Sequence, residues 1–131
     1  MSPNPNQPTG AVRVAAVQMV SKPDVAANLR DAAALIDEAA SLGAQLVALP
    51  EYFCLMGRES DKVAAREADG SGPIQDFLAA AAARHRIWLA GGTVPLASPQ
   101  PDRVMNSVLV YGPDGARVAR YDKVHLFAFA P

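Results

Sequence analysis

Two apolar runs, VRVAAVQMV at residues 12–20 and QLVAL at residues 45–49, stand on either side of a stretch whose apolar residues recur at helical spacing. No other feature constrains the fold as much. The first run is rich in β-branched residues and lacks in–out alternation, as a strand covered on both faces for most of its length would. Lys22-Pro23-Asp24 interrupts it, and Val25, Leu29, Ala32, Ile36 and Ala39 then draw one apolar stripe along a helix. Pro23 or Asp24 belongs near the first turn, and Gly43 suits the position just past the last one. Strand, helix and strand with short links make a βαβ unit.

The rest of the chain extends this pattern. Residues 54–70 read as a loop with room for a short helix through DKVAAREA. Ser71-Gly72-Pro73 opens a second helix, with proline in its first turn and Ile74, Phe77, Leu78, Ala81 and Ala82 on its buried face. Residues 86–94 are a third strand that runs into a proline-rich loop at 95–101. Residues 104–111 and 116–121 are two more strands around Gly112-Pro113-Asp114-Gly115, a turn in which proline fixes φ and glycine admits positive φ. That hairpin makes the sheet mixed, and the class is α/β. Glu51 and Lys123 fall just past the ends of the second and fifth strands, where open α/β sheets gather their ligand sites.

Composition removes several kinds of function. Twelve basic and thirteen acidic residues carry no basic block, which speaks against nucleic acid as a partner. Cys54 is the single cysteine, so neither a disulfide framework nor a cysteine metal site is available, and a reducing, cytoplasmic setting is expected. Residues 1–10, MSPNPNQPTG, are polar and proline-rich and read as a disordered leader, with a domain over 11–131. No stretch approaches the roughly 20 apolar residues of a membrane span.

Few residues offer chemistry. Glu51 follows Leu49-Pro50, and a carboxylate there is expected to be poorly solvated, with a raised pKa suited to proton transfer. A cap or a partner for a lysine is the plainer role. Lys123 lies in an almost wholly apolar run and needs a partner for its ammonium, either a structural carboxylate or an active-site group. His125 would share a strand face with Lys123, and a satisfied structural histidine is the plainer account of it. His85 reads as the end of the second helix. Cys54 is flanked by Phe53 and Leu55, with nothing nearby to lower its pKa, and reads as buried and inert. Gly91-Gly92 and Gly70-Ser71-Gly72 lack phosphate-loop spacing and read as turns.

The ordered motifs VRVAAVQM, LVALPEYF, LAGGTV, MNSVLVY and RYDKVHLF resemble those of the nitrilase superfamily of carbon–nitrogen hydrolases, over residues 12–127. YDKVHLF is most similar to the Nit and ω-amidase-like branch. The resemblance implies a nitrilase-like α-β-β-α sandwich with a mixed sheet, and a Glu-Lys-Cys triad that hydrolyses a small-molecule amide or nitrile without a cofactor or metal. Glu51 matches the general base and Lys123 the group that stabilises the tetrahedral intermediate. The nucleophilic cysteine of the family follows the lysine by a few tens of residues, in a segment absent from this sequence. Cys54 does not match that position.

The expectation is therefore an N-terminal half-domain, inactive alone, with apolar sheet surface and open edges that favour aggregation. Homo-oligomers are expected of the full-length form. Two alternatives follow: a non-catalytic remnant that binds a full-length homologue, and a small thiol hydrolase using Cys54 with Glu51 or His125.

Overall fold

The computed structural model describes residues 10–126. The leader expected over residues 1–10 thus lies outside the described residues, Gly10 excepted, as does Phe127 of the YDKVHLF run.

The βαβ unit forms from β1 (Val14–Ala16), α1 (Val25–Ser41) and β2 (Leu46–Ala48). Asp24 caps α1, its extended backbone allowing its carboxylate to accept the Ala27 N–H at 3.0 Å. Leu42 ends the helix, and Gly43 takes the positive φ of 88° that reverses the chain. The stripe reads as expected with one addition. Asn28 is fully buried on it, donating to the carbonyls of Lys22 and Cys54 and accepting from Lys22 N. One side chain thereby ties the β1–α1 link to the chain just after Glu51.

The chain continues through α2 (Glu59–Ala65) and α3 (Pro73–His85). The buried carboxylate of Glu67 accepts the backbone N–H groups of Ile74 and Gln75, two buried donors at the start of α3 that have no partner within the helix. His85 does more than end that helix, since its Nε2 meets Asp37 Oδ1 and links α3 to α1.

The strand expected over 86–94 departs from the structure. It divides into β3 (Trp88–Ala90) and β4 (Val94–Ala97), separated by Gly91-Gly92-Thr93. Both pair antiparallel with β5 (Val104–Tyr111), and the register slips by one residue between Ala90↔Val110 and Val94↔Ser107. The glycines are a bulge in one long strand, where a turn was expected. Pro95 also lies in the strand instead of opening the loop. Its carbonyl points away from β5 to accept Glu67 N–H at 3.0 Å, so the missing proline donor faces the outer edge, where no ladder bond is lost.

β6 (Arg117–Asp122) pairs with the other side of β5 across the PDG turn. The order is β1, β2, the β3–β4 strand, β5 and β6, with the first three parallel. Ala15, Val47 and Leu89 align across one face and bury against Ile36 of α1 and Leu78 of α3. On the opposite face Val14, Leu46 and Trp88 form a row that is 63, 36 and 45 % exposed. An open apolar face of this kind is what an incomplete sandwich would leave.

Candidate active site

Glu51 opens the turn that follows β2, and Lys123 follows the last residue of β6. The intervening strand order brings the two ends together: Lys123 Nζ donates to Glu51 Oε1 at 2.9 Å, across 72 residues of sequence. The same oxygen accepts a hydrogen bond from Asn106 Nδ2, also at 2.9 Å. Asn106 sits near the start of β5, which runs antiparallel and so begins at the edge where β2 ends.

The turn is held in an uncommon conformation. Tyr52 has a positive φ of 49°, which costs an ordinary residue about 1 kcal/mol or more. Three contacts fix it. Tyr52 N–H donates to Thr93 Oγ1 at 2.8 Å, Phe53 N–H donates to Pro50 O at 3.1 Å, and Lys62 Nζ lies 4.2 Å from the centre of the tyrosine ring. The bulge at Gly92 lets the turn approach, because a Cβ there would lie 2.1 Å from Pro50 O.

The protonation expected of Glu51 is reversed. The side chain is 53 % exposed, and the hydrogen bond from Lys123, followed by that from Asn106, holds its carboxyl below the ordinary value of 4.5. Local sequence suggested poor solvation, but desolvation is outweighed by two donors delivered from distant strands. A carboxylate that is ionised at neutral pH is the result.

Beside the pair, Ser107 Oγ and Arg120 Nε donate to Asp122 Oδ1, and Arg120, then Ser107, holds that carboxyl below 3.8. Both carboxylates bind protons less well folded than unfolded. Their contribution is present above the unfolded values and disappears as pH falls through the lower folded ones. The urea midpoint should therefore decline as pH falls below about 4. Asp122→Asn should remove part of that decline, with solvent screening limiting its share to about 1 kcal/mol or less.

The remaining candidates lie elsewhere. Cys54 is fully buried, its thiol directed at Thr93 O 3.8 Å away, and burial pushes its pKa up to about 12. No hydrogen bond joins it to Glu51 or His125 among the described residues. A thiol reagent should label Cys54 only at the rate of opening or unfolding, and Cys54→Ser should cost about 1–2 kcal/mol through its buried hydroxyl. β6 ends at Asp122, so His125 is not on a strand face with Lys123, and it is exposed. Among the described residues, no group of three or more His, Cys, Asp or Glu side chains could hold a metal.

Asn106 and Thr93 escaped the reading of the sequence. The polar pair Asn106-Ser107 inside an apolar strand was a usable signal, since buried polar residues need partners.

Comparison with known proteins decides the family. The family model described as carbon-nitrogen hydrolase matches residues 13–131. The chain belongs to the carbon–nitrogen hydrolase family. Within it, a deaminated glutathione amidase of Synechocystis is 37% identical over 114 residues, covering 86% of this chain and 42% of that protein. The chloroplastic omega-amidase of Arabidopsis thaliana is 34% identical over 129 residues, covering 95% and 34%. The structure of Saccharomyces cerevisiae Nit3, a nitrilase-superfamily member, superposes with a TM-score of 0.78 at 31% identity, covering 87% of this chain and 44% of Nit3.

These likenesses place this carbon–nitrogen hydrolase chain in the Nit branch of the nitrilase superfamily. Its α/β fold is that of the superfamily's structures, and the chain spans less than half the length of these relatives, as a partial domain. No described helix is long and apolar enough to cross a membrane.

Proposed function

We propose that this chain carries two of the catalytic groups of an amide-cleaving hydrolase, Glu51 as general base and Lys123 as the cation that stabilises the oxyanion. The observation that carries the reading is the 2.9 Å contact between Lys123 Nζ and Glu51 Oε1. A lysine held there supplies fixed positive charge, and the ionised carboxylate beside it can accept a proton.

The nucleophile is a cysteine in a continuation of the domain, not the occluded Cys54. Its thiol passes a proton to Glu51 and its sulfur attacks the amide carbonyl, whose oxygen gathers charge beside Lys123. The C–N bond then breaks, Glu51 returns the proton to the departing nitrogen, and ammonia leaves a thioester. Water, deprotonated by Glu51, hydrolyses the thioester to the carboxylic acid and restores the thiol.

The relatives' names favour amides over nitriles, with deaminated glutathione the first to try, and the resemblance to the Nit and ω-amidase-like branch adds short dicarboxylic monoamides. The full-length protein is a cytoplasmic homo-oligomer in this reading and needs no cofactor. The test is ammonia release from these amides by residues 1–131 continued by the cysteine-bearing segment. Release is expected from at least one of them. Hydrolysis of nitriles alone would overturn the amide assignment.

A further inference from the structure

We propose that Asn106 is the positioning residue of the pair, holding the Glu51 carboxylate through its side chain and Lys123 through its backbone. The inference rests on the reading of Glu51 as the base. Asn106 Nδ2 donates to Glu51 Oε1 at 2.9 Å, while Asn106 O accepts the Lys123 backbone N–H at 2.8 Å. One residue of β5 thus fixes both groups relative to the same strand.

The hydrogen bonds assign the two carboxylate oxygens different duties. Those from Asn106 and Lys123 both end on Oε1. Oε2 is left uncommitted by either and is the oxygen that takes the proton.

The cost that Asn106 carries argues against a filling role. The residue is 5 % exposed, and its Oδ1 is buried without a hydrogen-bond partner among the described residues. Turning the amide over would set Oδ1 against the carboxylate, so Glu51 dictates the orientation and strands the carbonyl. A leucine of similar size would fill the space with no orphaned acceptor. Asparagine at this position serves the contact with Glu51.

The strand pairing supports the same role. Asn106 lies opposite Pro95, whose carbonyl points away from β5, so the Asn106 carbonyl is directed to the β6 side and meets Lys123. Ser107 grips Asp122 one residue along and pins the end of β6 in that register.

The test follows the Glu51 carboxyl carbon by NMR through a pH titration of the chain. In Asn106→Leu the Glu51 midpoint should rise while the thermal transition is kept. Asn106→Asp should raise it further by placing a second carboxylate beside Oε1. In the unsubstituted chain the Asn106 side-chain amide protons should shift with the Glu51 midpoint. Flat amide shifts would falsify the proposal even where Asn106→Leu fails to fold. Lys123→Met separates the two readings. If it moves the Glu51 midpoint and Asn106→Leu does not, Asn106 only fills space and the catalytic pair stands. If neither substitution moves the midpoint, the pair itself is wrongly read.

Discussion

Gly92→Ala is expected to lower stability by more than about 3 kcal/mol, or to prevent folding, because strain and collision act together. Gly92 has a φ of 59°, and an added Cβ would lie 2.1 Å from Pro50 O and 3.1 Å from Leu49 O. Those atoms are backbone and cannot rotate aside. Relief would require moving the strand end that delivers Glu51, or the bulge that joins β3 to β4. Gly70→Ala separates the two contributions, since Gly70 has a φ of 90° with nothing within 4 Å of the added carbon. It should cost only the conformational strain, about 1–2 kcal/mol. Urea midpoints of the two variants measure the difference. Equal losses would mean that the Gly92 contact is absorbed by a small shift and that the bulge does not set the Glu51 turn.

The same bulge shows where the sequence was legible and where it was not. β5 was readable to the residue over 104–111 because an apolar run met a strong turn signal at Pro113-Asp114-Gly115. α1 was readable because Asp24 and Gly43 mark its ends by local chemistry. Pro95 misled, since whether a proline harms a strand depends on which neighbour its missing N–H would face. That neighbour, Glu67, is set by the fold. Glu51 misled for a related reason. Its apolar neighbours in sequence implied a raised pKa, and its ordinary value is instead lowered by Lys123 and Asn106, residues that only the strand order brings near. Asn106 was visible as a polar interruption in an apolar strand, but its partner lies 55 residues away.

Removing either member of the pair should abolish most turnover in a form of the protein that carries the nucleophilic cysteine. Glu51→Gln keeps the side chain's shape and loses its ability to take a proton at neutral pH. General-base catalysis is worth about 10²–10⁴ in rate, and that is the expected fall in kcat. Lys123→Ala removes the cation from the developing oxyanion, a loss of about 10²–10³ by comparison with other oxyanion donors. The two losses should not multiply. Without Lys123 the Glu51 carboxyl regains a more ordinary pKa, so part of each effect passes through the other group. Neither change should unfold the chain, because the ion pair is half exposed, with side-chain exposures of 35 and 53 %, and surface pairs of this kind contribute about 1 kcal/mol or less.

The most direct measurement is single-turnover ammonia release from whichever of the proposed amides is cleaved, at saturation, comparing Glu51→Gln with the unsubstituted protein in that cysteine-bearing form. A fall of at least about 100-fold is expected, with an unchanged thermal transition. Release within a few-fold of the unsubstituted rate would contradict it, and would leave the contact between Glu51 and Lys123 as a structural ion pair.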